Sequence, residues 1–468
     1  VTAGATSAGP IGEGIAPIGR AIAALLLIAA IGAGAAWLAM RPAAPDLPRS
    51  GPAYRALSAS AAAERQNVYP TTYVEALARI DATLATDLAR VGPGGGGWLG
   101  HATVAGDYLD RARLTGLFDD YARAGRSFDT AFAVADPGFG PHLERAAYNL
   151  AVHRLDAVEP DLARIERYAV PPDDVTRATI LGMRGDLLFY RGRYGDALDL
   201  YQQSRKLAPA MGPSLRLATY WAVMGQPDRA LGFLDEAQYY VTGAQQQVLA
   251  GIEMQRGAIA FARGRWEEAQ RSYARAADIF PGHWNIESHI ALLAALRGDR
   301  ARAGALFARV VERDGSPEAM DALAGLARAD GDFARSQGWA AQAEAEWRRR
   351  MTALPEAAYG HALEHLLAFG APAETLRVAL AAYKARPFGE SATQLASAYL
   401  ANRRPADAIR IIAPVLESGW VSSDARLVAM EAYALAGDGA RADAERRQAL
   451  AINPHALDRN PAMVWLGH

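Results

Sequence analysis

From about Ala178 onward, apolar positions recur at helical spacing, and the blocks they form repeat. Each unit reads as a helix, a short turn carrying glycine, a second helix opening near an alanine, and often a proline that closes it. Aligned on that alanine, the units register at Ala197, Ala230, Ala269 and Ala303, then at Ala408 and Ala442. The spacings are 33, 39 and 34 in the first run and 34 in the second. The stretch 317–387 departs from the pattern, but its helix pairs persist, with turns at Gly331 and Gly370, stops at Pro355 and Pro387, and a longer second helix over 334–352. Upstream, 71–91, 108–124, 131–137 and 142–168 carry helical periodicity of a more degenerate kind. The pattern predicts roughly nine helical pairs. Nowhere does alternation of period two persist between turn residues, so no strand is expected.

A period near 34 built from helix–turn–helix units is the mark of tetratricopeptide repeats, and the individual units carry the corresponding residues. One has Gly185, Gly192, Ala197, Tyr201 and Pro209; another has Gly257, Gly264, Ala269, Tyr273, Ala276 and Pro281. A third has Gly298, Ala303 and Phe307, and the last has Tyr433, Gly437, Ala442, Ala449 and Pro454. The chain therefore resembles the tetratricopeptide-repeat family over 178–307 and 391–454. The resemblance implies an all-α solenoid, a right-handed superhelix whose first helices line a concave groove, and a role in binding other proteins there. It also implies ligand contacts from inward positions of first helices, which here are Asp186, Phe189 and Tyr190, then Leu215 and Thr219, then Met254 and Phe261. Repeats of this family that clamp a C-terminal carboxylate use Lys, Asn and Arg at such positions. The matching pairs Gly182/Asp186, Leu215/Thr219 and Met254/Ala258 do not make that clamp.

The N-terminal part differs in character. Residues 1–20 are a Gly-, Ala- and Pro-rich tail, and Ala21 to Met40 is a twenty-residue run without a charge, bracketed by Arg20 and Arg41, with Trp37 near one end. That length and those flanks suit one transmembrane or signal-anchor helix in a lipid bilayer. Ala33-Gly34-Ala35 offers a signal-peptide cleavage site as the alternative, against which Trp37, Leu38 and Met40 extend the apolar run. Residues 41–66 read as a Pro/Ala-rich linker, 67–174 as degenerate helical repeats, 175–454 as the repeat superhelix and 455–468 as a tail. The orientation signals conflict. Arg41, Arg49 and Arg55 against Arg20 alone place the repeats in the cytoplasm. A short basic-ended tail before an apolar run is an export layout. The expectation adopted is a single-pass protein of the bacterial inner membrane with its repeats on the periplasmic side.

Composition narrows the chemistry. The 468 residues are 51% hydrophobic and 21% charged, which excludes a disordered chain. The 49 basic and 51 acidic residues leave a net charge of −2, no footprint for nucleic acid. Cysteine is absent, so disulfides, thiolate metal sites and a cysteine nucleophile are excluded. Lysine occurs only at Lys206 and Lys384, so Arg supplies almost every positive charge.

Four local features remain. His361, Glu364 and His365 match H-x-x-E-H, with both histidines on one helical face and Glu431 a conceivable further ligand. The segment lies inside a repeat helix, whereas enzymes with this motif resemble mixed α/β folds, so a zinc metallopeptidase is only a remote alternative. The glycine run 92–97 leads into Trp98-Leu99-Gly100 and not into the Gly-Lys-Ser/Thr of a phosphate loop. Asp119-Asp120 and Asp173-Asp174 fit helix N-termini. Arg348-Arg349-Arg350, late in the long helix, suits the helix dipole or a docking patch for an acidic partner or anionic lipid. The sequence thus predicts a membrane-anchored protein-binding scaffold, with a cytoplasm-facing assembly subunit as the alternative. Catalytic residues, metal and cofactor are expected to be none.

Overall fold

The computed structural model describes residues 69–92, 95–241 and 245–458. Among them are 21 α-helices, a short 3-10 turn at Leu155–Ala157, and no strand. In chain order the helices are α1 (Tyr73–Val91), α2 (Gly97–Thr115), α3 (Phe118–Val134), α4 (His142–Ala151) and α5 (Val158–Ile165). Eight regular hairpins follow: α6 (Asp174–Tyr190) with α7 (Tyr194–Leu207), α8 (Met211–Val223) with α9 (Pro227–Tyr239), α10 (Gln246–Ala262) with α11 (Trp266–Ile279), and α12 (Trp284–Leu296) with α13 (Arg300–Asp314). The rest are α14 (Pro317–Ala329) with α15 (Phe333–Ala353), α16 (Pro355–Phe369) with α17 (Pro372–Ala385), α18 (Gly389–Ala401) with α19 (Pro405–Glu417), and α20 (Ser423–Leu435) with α21 (Gly439–Ile452). The chain is an all-α helical-repeat solenoid. With α2–α3 and α4–α5 there are ten hairpins after α1, one more than the periodicity predicts. The apolar segment 21–40, the tail 1–20 and the linker 41–66 lie outside the described residues, and among the described residues no helix is long and apolar enough to cross a membrane.

Each hairpin has a physical origin in the sequence. Most first helices end on a left-handed residue that lets the chain reverse, as at Gly298 (φ 86°), Gly331 (φ 80°) and Gly437 (φ 83°), whereas α16 ends at Gly370 in extended backbone. The next residue, Asp299, Asp332 or Asp438, accepts a backbone N–H three positions on and so caps the second helix. Two residues therefore close one helix and open the next. In α6 and α10 the small residues Gly185 and Gly257 face the rings of Tyr201 and Tyr273, and a Cβ at either would strike the ring. These tyrosines thus seat first within their own hairpin, a finer role than filling the space between units. Upstream, within the degenerate stretch 108–124, the left-handed backbone of Gly116 ends α2 and α3 opens at Phe118. The glycine run closes α1 at Gly92 and opens α2 after Gly96.

The stack does not run straight. Its second stretch returns onto its first, joining loop to turn. Val421 N donates to Val223 O at 2.8 Å, and Gly389 N donates to the Tyr194 hydroxyl at 2.8 Å. Trp420, fully buried, meets Phe189, Tyr194 and Phe388 at ring separations of 6.1, 5.6 and 6.0 Å. Farther along, His455 stacks on Trp266 at 4.0 Å. Before it, Arg154 approaches Glu356 at 3.8 Å. One apolar core accordingly runs through α4–α10 and resumes in α16–α21.

Two outcomes are expected. Trp420→Ala removes the ring that joins the two stretches and should cost about 3–5 kcal/mol in denaturant unfolding, with an expanded radius in small-angle scattering. Arg403, exposed and at φ 56° where most other turns have glycine, should accept Arg403→Gly with a gain of about 0.5–1 kcal/mol. An unchanged or lower midpoint would contradict the strain.

Candidate functional site

The polar side chains in the helix interfaces are mostly consumed by one another. Asp186, in α6, accepts from Arg216 Nε of α8 at 3.0 Å and from the Tyr201 hydroxyl of α7 at 3.0 Å. Of the other residues predicted for the groove, Phe189 and Tyr190 sit in the aromatic seam, Leu215 and Thr219 are buried within α8, and Phe261 is buried late in α10. Met254 is the one of the seven that reaches an open space.

The H-x-x-E-H residues likewise part company. His365 Nδ1 bonds Asp321 Oδ1 of α14 at 2.6 Å, and the other oxygen of Asp321 accepts from Trp347 Nε1 at 2.9 Å. Burial pushes the Asp321 carboxyl up, against the pull of His365 and Trp347. Glu364 accepts from Gln394 Nε2 of α18 at 2.8 Å. His361 turns to the interior and lies parallel to Trp347 at 6.3 Å. The motif thus serves three separate helix contacts. Among the described residues no three His, Asp or Glu side chains are placed to hold a metal ion. The arginine run is also built in: Arg348 pairs with Glu344 and Glu374, Arg349 with Glu346 and Asp119, and buried Arg350 with Glu318 and Glu346. Asp173 caps α6, and Asp120, 1% exposed, pairs with Arg111 and Arg123.

The open space is a cavity of about 780 Å³ inside the coil. Its wall on one side comes from α1–α3 and the α4 turn, through residues such as Ile80, Arg113, Tyr121 and His153. On the other side come the opening residues of first helices α8, α10, α12, α14, α16 and α18. Its size falls in the range of small-molecule sites. The two layers are tied by Tyr73, which donates its N–H to Pro281 O at 3.0 Å and its hydroxyl to Asp314 at 3.0 Å, and by Trp284 Nε1, which donates to Leu114 O at 3.1 Å.

Several half-buried ionisable groups line this cavity. Burial lowers the His283 imidazole to about 3 and holds His153 well below its ordinary value, with Arg386 and His361 adding to the latter. His153 also has a left-handed backbone (φ 59°), and its Nδ1 has no partner. Burial raises the Glu390 carboxyl to about 7; Arg386 opposes that rise and Glu364 adds to it. Sequence reasoning missed this set. Arg386 and Glu390 lie four residues apart across the junction of two hairpins, but His153 is more than 200 residues away in the chain, and only the coil brings it to them.

No family profile and no curated protein matches the chain. Among solved structures it is similar to one chain of the APC/C hetero-tetramer Cut9–Hcn1, with a TM-score of 0.40 and 13% identity over 83% of this chain and 81% of that one. It is also similar to the human IFIT1 dimer with PPP-AAAA, with a TM-score of 0.35 and 14% identity over 64% of this chain and 72% of that one. At these scores neither likeness bears on function.

Glu390 makes the site's electrostatics measurable. Its folded value lies above the ordinary 4.5, so the folded protein binds the extra proton. The associated stability is fully present below about 4.5 and is lost as pH rises through about 7. Glu390→Gln should therefore leave stability near pH 4.5 almost unchanged and raise it at pH 8 by on the order of 2–3 kcal/mol. Equal effects at both pH values in urea titrations would refute the assignment.

Proposed function

We propose that the chain is a protein-interaction scaffold, held at a membrane by residues 21–40, with its repeats on the periplasmic side of a bacterial inner membrane and a role in assembling cell-envelope complexes. The observation that carries the scaffold reading is the uninterrupted stack α6–α21. Its hairpins bury their apolar faces on one another. Its chemistry-bearing side chains, Asp186, Arg216, Asp321, Glu364 and His365, are spent on holding helices together. Such stacks present long surfaces whose ligand is set by a few side chains, and nothing in these contacts is arranged to make or break a covalent bond. The membrane reading rests on the uncharged run Ala21 to Met40 and its flanking arginines.

Large apolar side chains that the fold leaves outside, among them Val170 at 80% and Tyr239 at 83% exposure, are places where a partner would gain burial.

Two measurements in intact cells test the reading. A reporter fused after His468 should be active outside the cytoplasm, and removal of residues 21–40 should move the protein from the membrane to the soluble fraction. A cytoplasmic reporter would make it the cytoplasm-facing assembly subunit that Arg41, Arg49 and Arg55 favour. Photo-crosslinking from position 239 should give a discrete protein adduct, and its absence at every exposed position tried would end the scaffold reading.

A further inference from the structure

We propose that the interior cavity is a binding site for a carboxylate carried on an apolar body, with Arg386 as the residue that binds the anion. This goes beyond the scaffold reading and does not depend on it.

Arg386 is 7% exposed and lines the cavity. Its guanidinium lies over the rings of Tyr190 and Phe388, at 5.8 and 5.4 Å, and among the described residues it has no carboxylate partner within 4.0 Å. A buried cation without a counter-ion is costly unless a ligand supplies one. Three other carboxylates on the wall are engaged by neighbours. Asp314 is held by Tyr73 and Arg313, Glu318 by Ser316 and Arg350, and Asp110 by Arg113. Glu390 stands beyond ion-pair distance, and its Oε2 has no partner.

The surroundings favour an anion as well. Helices α10, α12, α14, α16 and α18, each at least 13 residues long, begin on the cavity wall, so the positive ends of their dipoles raise its potential. A single negative charge fits best, because Arg386 is one cation and burial holds His153 and His361 down towards their neutral forms. A dianion would leave charge uncompensated. The remaining wall selects the body of the ligand: Ile80, Phe118, Met254, Trp284 and Ile286 give it an apolar lining. Asn285, 3% exposed and also on the wall, has an amide oxygen without a partner, an acceptor for one donor group on the ligand.

The ligand could be a free organic acid or the carboxylate end of a peptide, so the test uses both. Full-length protein in detergent is titrated calorimetrically with octanoate, octanamide, octyl phosphate, and an apolar hexapeptide with either a free or an amidated C-terminus. Binding of octanoate or of the free-ended peptide is expected, with the corresponding amide at least about 10-fold weaker. Which of the two carboxylates binds identifies the source. Arg386→Met should weaken the binding carboxylate by about 10- to 100-fold. It should also melt no lower than the parent protein, because it removes a buried uncompensated charge, and that separates loss of binding from loss of fold. Arg386→Lys should keep part of the affinity. The proposal is overturned if neither carboxylate binds, if the amides bind as well as the acids, if octyl phosphate binds tighter than octanoate, or if Arg386→Met binds as the parent does.

Discussion

The aromatic seam around Trp420 is the contact on which the rest of the architecture depends. A solenoid is ordinarily held only by neighbours in sequence. Here Trp420, Phe388 and Gly389 reach back to Phe189 and Tyr194, and a backbone bond from Val421 to Val223 fixes the register. Gly389 has no side chain because the indole of Trp420 occupies the place where a Cβ would project. Once those two stretches are joined, the coil has an inside. The burial of Tyr190 follows from that closure, and the cavity is completed by α1–α3 through Tyr73 and Trp284.

Within the coil, polarity is used as an adhesive between helices. The bond sets Asp186–Tyr201–Arg216 and Asp321–Trp347–His365 each link three helices, and each is satisfied by side chains with fixed geometry. Buried polar groups of this kind add specificity of register more than stability. They mark which hairpin sits next to which, in a fold where many apolar faces are interchangeable. Arginine suits this task better than lysine, since its fork can hold two acceptors at once, as Arg350 does with Glu318 and Glu346.

Much of this fold was legible in the sequence because its determinants are local. Glycine at the turn, Asp just after it and proline at the close of a unit act within a few residues, so hairpins from α6 to α21, including the long α15, were readable from 3.6-residue periodicity and turn chemistry. The turn at Gly116 is less legible, because 108–124 keeps its apolar spacing across it. The candidate site was hardly legible. Groove positions carried over from the family resemblance assume an open concave face, whereas in this coil Asp186, Phe189 and Tyr190 are covered by packing. The cavity is a product of long-range closure, and its members, His153, Asn285, Arg386 and Glu390, form no motif along the chain. Two non-glycine residues in left-handed turns, His153 and Arg403, were invisible for the same reason: nothing in their neighbours' identity announces the backbone they adopt.

The seam also sets a timetable. Tyr194 and the Gly389 amide that it accepts are 195 residues apart. At the usual pace of translation, a ribosome takes about 10–40 s to make that much chain. During that interval Phe189, Tyr190 and Tyr194 have only one another and His153 to pack on, and lack Phe388 and Trp420. A nascent chain of this protein therefore carries a partly uncovered aromatic surface while those 195 residues are made, and its fate in a cell turns on what shields those three rings until Trp420 emerges.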